Sequence, residues 1–295
     1  GKWGLGYPGS EGSPNKQGFD QFYGYNCQRH AHHYYSNYMR ENDDSVTLYG
    51  NLKPPFKEYS ADVISAKALE FIDNNKNKPF FLYFASTLPH NPYNQPDDKI
   101  LDYYTKKTGK PKGDPTSEDF SIPKYASMTA RLDKEVGDLL AKLKALNLLE
   151  NTLIIFTSDN GTALRPTEDE YLKTGGDLHG RKSEMYEGGI KSPMIAYWKG
   201  KIVAGSKSPL ISAAWDFLPT VADLVNVKAP NDIDGISMLP TLLGKPKLQK
   251  EHDYLYWERN QTQGIRKGDM KAVISYDKET RKQSIEIYDL AKDPY

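Results

Sequence analysis

The sequence predicts an α/β fold in which buried strands alternate with helices, followed by a small C-terminal antiparallel sheet. Three observations predict it: an apolar run ending in polar turn residues, helical periodicities before and after that run, and a change of texture near residue 250. The run is residues 152–161, TLIIFTSDNG. An unbroken apolar stretch bounded by turn residues reads as a strand buried on both faces of a parallel sheet. Ligands of open α/β sheets sit outside the carboxyl ends of such strands, where this chain sets Ser158, Asp159, Asn160 and Gly161. A carboxylate and an amide oxygen suit a hard cation such as Ca²⁺ or Mg²⁺. An Asx-Gly turn closing the strand is the plainer alternative.

Elements before the run follow the same logic. Residues 58–75 form an amphipathic helix, with Val63, Ala66, Ala68 or Leu69, and Ile72 at helical spacing and Asn74–Asn75 as its stop. Residues 79–85, PFFLYFA, give a second buried strand that delivers His90 to the same mouth. Residues 106–117 are a Lys/Gly/Pro-rich surface loop. A helix over 125–146 carries Met128, Leu132, Val136, Leu139, Leu140, Leu143 and Leu146 on one stripe. Helix, strand, helix, strand is α/β order.

After the run comes a polar excursion, 164–187, that contains Gly180-Arg181-Lys182. Residues 193–198, PMIAYW, give a third short buried strand, and 212–227 a helix that admits Pro219 only at a kink or in a first turn. Short strands at 254–257, 264–266, 270–275 and 284–288, separated by charged turns, make an antiparallel sheet. The expected organisation is one domain over 1–250 and a small antiparallel subdomain over 251–295.

Composition excludes some functions. At 295 residues the chain is long enough to bury a real core. Lys plus Arg and Asp plus Glu both number 39, a zero formal charge that argues against a whole-surface nucleic-acid or anionic-membrane binder. No apolar run reaches the roughly 20 residues of a membrane span, and no signal peptide opens the chain. One cysteine, Cys27, allows no internal disulfide.

Single residues have bland readings: Lys2 as a solvated lysine beside a buried tryptophan, His90 as a loop cap, Lys182 as a surface charge. Together, Asp159 and Asn160 for a divalent cation, two lysines and a histidine suit a site for a tetrahedral oxyanion ester. The lysines offset charge on the non-bridging oxygens, the cation polarises the centre, and the histidine exchanges a proton with the leaving group.

Eight segments, GKWGLG at 1–6, GFDQFYGY at 18–25, PFFLYFASTLPHNPY at 79–93, FTSDNG at 156–161, GRKSEMYEGGIKSP at 180–193, WDFLPTVADL at 215–224, DGISMLPTLLG at 234–244 and IYDLAKDP at 287–294, resemble the arylsulfatase-type sulfatase family, in the family's order. The resemblance implies an alkaline-phosphatase-like α/β fold, with a large mixed sheet between helices and a small C-terminal sheet, and hydrolysis of a sulfate ester, here of a sulfated small molecule or glycan. It implies one bound Ca²⁺, with Asp159 and Asn160 as metal ligands. It also implies that Lys2 steadies the nucleophile and sulfate, and that His90 and Lys182 bind sulfate and assist the leaving oxygen. A periplasmic or secreted location is a further implication.

This sequence departs from the family pattern in two ways. The family nucleophile is a formylglycine made from the cysteine of C-x-[PA]-x-R, upstream of GKW; Cys27, in Cys27-Gln28-Arg29-His30-Ala31, follows GKW and lacks that pattern. The family's N-terminal aspartate pair, the other metal ligands, is also not in the sequence. Because Gly1 opens inside a family motif, the expectation is a parent about a hundred residues longer at its start, supplying the nucleophile and those ligands, with this chain alone inactive. The second departure is Gly4, where many members carry a histidine, in GKWHLG, that helps expel sulfate. Residues 27–35, CQRHAHHYY, are the nearest supply of imidazole. They read as a wall of the substrate pocket, with His30 and His32 hydrogen-bonding a sulfated sugar.

Two other readings remain open at this point. A phosphate or phosphonate ester hydrolase of the same superfamily wants an Asp/His-rich second metal site, for which the sequence has no signal. A non-catalytic relative that binds sulfated glycan is favoured by Gly4 and opposed by Asp159, Asn160, Lys182 and His90.

Overall fold

The computed structural model describes residues 1–276, 280 and 282–293; the ends of the IYDLAKDP motif and of the 251–295 subdomain, at Pro294 and Tyr295, lie outside the described residues. The chain divides into two compact units, Gly1–Leu149 and Glu150–Tyr295.

In the first unit an antiparallel sheet of β1 (Tyr23–Gly24), β2 (Tyr38–Glu41) and β3 (Asp44–Thr47) lies over a core of Tyr25, Ala31, Met39, Leu48 and Ile64. Asn42 takes the left-handed conformation, φ 55°, that a tight β2–β3 turn requires. Helix α1 (Ser60–Asn75) buries Ala61, Ile64, Ala68 and Ile72 and leaves Ala66 exposed, so its inner face is rotated from the predicted stripe. Helix α2 (Lys99–Thr108) begins at Asp98, whose side chain accepts from the Ile100 and Leu101 amides at 3.0 and 3.2 Å. It takes in Lys106, Lys107 and Thr108, which composition alone assigned to a loop.

Helix α3 (Ile122–Ala145) is capped by Ser121 and packs against both α1 and α2. Its most buried face includes Lys124, Arg131 and Glu135 beside Met128 and Leu143. Arg131, its side chain only 7% exposed, reaches Asp62 of α1 at 3.2 Å and Asp98 at 2.5 Å. The guanidinium fork therefore ties the three helices together.

In the second unit β4 (Ile154–Thr157) pairs with β5 (Met194–Tyr197), and the pairing is antiparallel, Ile154 opposite Tyr197 and Thr157 opposite Met194. The expectation of a strand buried on both faces of a parallel sheet is thereby corrected: Phe156 is exposed, and Ile195 on the partner strand is 64% exposed. Residues 79–85, expected as a buried strand, pair with no strand among the described residues, and Phe81 and Tyr83 are 59% and 62% exposed. An apolar run encodes extension and burial, whereas a ladder and its direction depend on which segment arrives alongside. Among the described residues the strands form sheets of three, two and four members.

Between β4 and β5 lie the short helices α4 (Pro166–Asp169) and α5 (Glu187–Ile190). Helix α6 (Phe217–Leu224) accommodates Pro219 in its first turn, where no intrahelical N–H is needed. Buried Asp216 accepts from the Ala213 and Ile236 amides, both at 2.8 Å, and faces His252 Nε2 at 2.9 Å. After α7 (Leu239–Leu242), strands β6 (Leu255–Arg259), β7 (Thr262–Lys267), β8 (Met270–Tyr276) and β9 (Gln283–Asp289) form the predicted four-stranded antiparallel meander.

Candidate functional site

The expected site residues fall into two groups, one in each unit. In the first unit, residues 2–4 run between two backbone partners: the Lys2 amide donates to Ala85 O at 3.3 Å, and those of Trp3 and Gly4 to Tyr25 O and Asn26 O at 2.9 and 3.0 Å. A cleft beside Lys2 is walled by Trp3, Phe19, Tyr23, Phe71 and Phe81 and excludes His32 and His90.

His90 follows the loop Ser86-Thr87-Leu88-Pro89. Tyr34, fully buried, turns its hydroxyl towards Thr87 O at 2.8 Å and His90 O at 2.9 Å, and burial pushes its phenol well above the usual range, so it remains the donor. His90 Nδ1 lies 2.5 Å from Asn91 O; a carbonyl only accepts, so Nδ1 carries a proton. The His90 and His32 rings stack, centroids 5.0 Å apart and planes 14° from parallel.

His30 is placed differently. Its ring stacks on Tyr38 at 4.3 Å, meets Tyr25 edge-on at 4.9 Å, and sets Nε2 2.6 Å from Ser36 Oγ. Burial, then the neighbouring His33 and Arg40, lower its pKa. Gly4 has φ 85°, and a Cβ there would fall 2.5 Å from Gln28 Nε2. The side chain occupying the space beside Gly4 is therefore an amide, which does not exchange protons near neutrality.

In the second unit the chain leaves β4 through Ser158, Asp159, Asn160 and Gly161, and the Ser158 hydroxyl donates to Asn160 O at 2.9 Å. Asp159 is exposed and Asn160 half-buried. The Lys182 amide donates to Thr162 O at 2.7 Å, and the Gly161 amide to Gly189 O at 3.0 Å. The structure thus brings the Asp159–Asn160 segment and the Lys182 loop together through paired backbone bonds.

A family model described as Sulfatase matches residues 1–227, and one described as N-sulphoglucosamine sulphohydrolase, C-terminal, matches 179–295. The chain belongs to the sulfatase family. Its relatives include the uncharacterized sulfatase YdeN of Escherichia coli (strain K12), 33% identical over 283 residues, covering 94% of this sulfatase chain and 46% of the relative. The N-acetylgalactosamine-6-sulfatase of Mus musculus is 29% identical over 292 residues, covering 93% of this chain and 51% of its own. The sulfatase chain thus spans about half the length of these curated relatives. Among solved structures, Ps i-CgsB superposes with a TM-score of 0.75 at 25% identity, covering 99% of this chain and 64% of that one. BT4656, solved in complex with its substrate D-glucosamine-2-N,6-O-disulfate, superposes with a TM-score of 0.70 at 22% identity, covering 99% and 73%. The fold is the alkaline-phosphatase-like α/β fold of these sulfatases.

Sulfatases are generally calcium-dependent. Asp159 and Asn160 fit that ion in kind, since both offer hard oxygens, but not in number, since Ca²⁺ takes roughly six to eight. No group of three or more His, Cys, Asp or Glu able to hold a metal occurs among the described residues. None of their helices is long and apolar enough to cross a membrane.

Tyr34 and Gln28 were not singled out from sequence. Tyr34 stands in the His-rich segment already flagged, but its acceptors lie far along the chain. Nothing in sequence marks Gln28.

Proposed function

We propose that the full-length protein containing this chain hydrolyses sulfate esters of carbohydrate. The observation that supports this reading is the paired backbone contact of the two loops, which brings the backbone of Lys182 to the segment that carries Asp159 and Asn160. Ca²⁺, when bound, polarises the sulfate oxygens; Asp159 and Asn160 would hold it on this side, with further oxygens from the rest of the protein. Lys2 and Lys182 offset the anion's charge. With Nδ1–H committed to Asn91 O, His90 would act as the acid in its imidazolium form, passing the Nε2 proton to the leaving oxygen and ending as the neutral Nδ1–H tautomer. His30 and His32 form the sugar-facing wall in this reading, with the His30 ring held between Tyr25 and Tyr38. An upstream formylglycine is the nucleophile in this reading, since Cys27 lies outside the required pattern. A periplasmic or secreted setting follows the family.

The test is a parallel assay of the full-length protein on 4-nitrophenyl sulfate, 4-nitrophenyl phosphate, N-acetylgalactosamine 6-sulfate and glucosamine 2-N,6-O-disulfate. Turnover of a sulfate ester, with a sugar preferred over the aryl ester, is expected. Hydrolysis of the phosphate alone would move the protein to phosphoryl chemistry. Binding of the sugars without turnover would make it a lectin-like relative.

A further inference from the structure

The second unit contains a buried ion cluster far along the chain from Asp159. Glu187, first residue of α5, directs Oε1 to Lys271 Nζ at 2.8 Å and Oε2 to Arg266 Nη1 at 3.2 Å. Lys271 lies on β8 with its side chain 1% exposed, directly opposite Arg266 of β7. The ammonium also sits 5.8 Å from the centroid of the Trp257 ring. Both carboxylate oxygens of Glu187 are thus committed to the C-terminal sheet.

Two residues further on, the Gly189 carbonyl accepts the Gly161 amide at 3.0 Å, and the Gly188 amide donates to His179 O at 2.7 Å. These contacts are backbone on backbone: a Cβ on Gly161 would lie 1.8 Å from Gly188 O, and one on Gly188 would lie 2.2 Å from Gly180 O. An orientation imposed on α5 therefore passes to Gly161, and from there to Asn160 and Asp159 on one side and to Thr162, the partner of Lys182, on the other.

Stability alone does not call for such a cluster, because buried ion pairs are often matched or bettered by packed apolar side chains. What the cluster supplies is a fixed direction. We propose that Lys271, assisted by Arg266, is a positioning residue: through Glu187 it locks α5, and α5 holds the Asp159–Asn160 segment and the Lys182 loop in register. The proposal rests on the sulfatase reading only where it concerns the cation that Asp159 and Asn160 would bind.

The test uses the full-length protein and the variants Lys271→Met, Lys271→Arg and Arg266→Met. Amide hydrogen exchange is followed in the metal-free protein for peptides spanning 158–163 and 180–190, with α3 as reference, and Ca²⁺ affinity is titrated separately. Lys271→Met is expected to speed exchange in both peptides at least tenfold over any change in α3, and to weaken Ca²⁺ binding about tenfold, as loss of an outer partner does at metal sites. Lys271→Arg should restore both. Should Lys271→Met not fold, Arg266→Met, which removes the 3.2 Å contact to Glu187 and the 2.9 Å bond to Gly268 O within its own hairpin but keeps the Lys271–Glu187 pair, is expected to give the same pattern at smaller amplitude. Unchanged exchange in 158–163, or an equal rise in α3, overturns the proposal. A wild type that binds no Ca²⁺ and turns over no sulfate ester overturns the functional reading instead, and leaves the exchange result to judge the clamp.

Discussion

The His32 ring stacks on the His90 ring at 5.0 Å, 14° from parallel, so two imidazoles far apart in the chain share one face. Stacked rings of this kind contribute about 0.5–1.5 kcal/mol, up to about tenfold in a rate or binding constant. In the full-length protein, His32→Ala is expected to lower kcat/KM on sulfated sugars about tenfold. His32→Phe, which keeps a ring against His90 but no nitrogen, should recover kcat and leave KM raised. Steady-state kinetics on both variants decide it, and unchanged constants for both would remove His32 from the site.

Buried Glu135 introduces a pH dependence. Burial, with Asp62 adding repulsion, raises its pKa to about 7 against the hydrogen bond from Ser86 Oγ at 3.0 Å. The folded protein therefore holds this proton at pH values where the unfolded chain has released it. Its contribution to stability is complete below the unfolded value of 4.5 and is lost as pH rises through about 7. The full effect is about 3 kcal/mol. Glu135→Gln should be more stable than wild type at pH 8 and level with it at pH 4, by denaturant titration at each pH.

Arg131 joins Asp62 and Asp98 across three helices. Removal of hydrogen bonds to charged groups costs about 1.5–3 kcal/mol, so Arg131→Met should lower unfolding free energy by about 2 kcal/mol. Arg131→Lys, able to reach one aspartate but not to bridge both with a fork, should recover about half. Equilibrium urea unfolding measures both.

Asp216 serves three donors at one buried carboxylate: two amides and His252. Asp216→Ala leaves those donors without an acceptor, at about 1–3 kcal/mol for each buried group. The expected outcome is a protein recovered mainly as aggregate. Asp216→Asn should fold with a lower Tm, read by calorimetry.

Ca²⁺ at a hundred times its Kd should stabilise the full-length protein by about 2.7 kcal/mol. Asp159→Ala should lose that gain while its Tm in chelator equals that of wild type. A metal-dependent gain that survives in Asp159→Ala would place the ion elsewhere.

Helices α1 and α3 and the C-terminal meander were legible because apolar spacing reports them directly: all fall close to where periodicity sets them, whereas α2 was not expected and its last turn reads as loop by composition. The direction of β4 was not, because its partner is chosen by the path of residues 158–193 and not by its own side chains. The polar face of α3 was hidden for a related reason. Lys124, Arg131 and Glu135 recur with Met128 at helical spacing, but such residues read as solvated unless their partners are known. Those partners, the carbonyls of Asp114 and Ser117, the carboxylates of Asp62 and Asp98, and the Ser86 hydroxyl, lie elsewhere in the sequence. Asp159, Asn160, Lys182, Lys2 and His90 stand out in the sequence by their places at strand ends and in glycine-rich loops and by motif resemblance. Tyr34, Gln28 and Lys271 act through neighbours that only folding assembles.

The contact of Gly161 on the Gly188 carbonyl leaves no room for even one methyl group. Randomising 161 and 188 together and selecting for folded, cation-binding protein should return glycine at both places, however permissive the selection. Adaptation of such a joint has to come from the charges behind it or the loops around it, because the hinge pin itself has nothing left to vary.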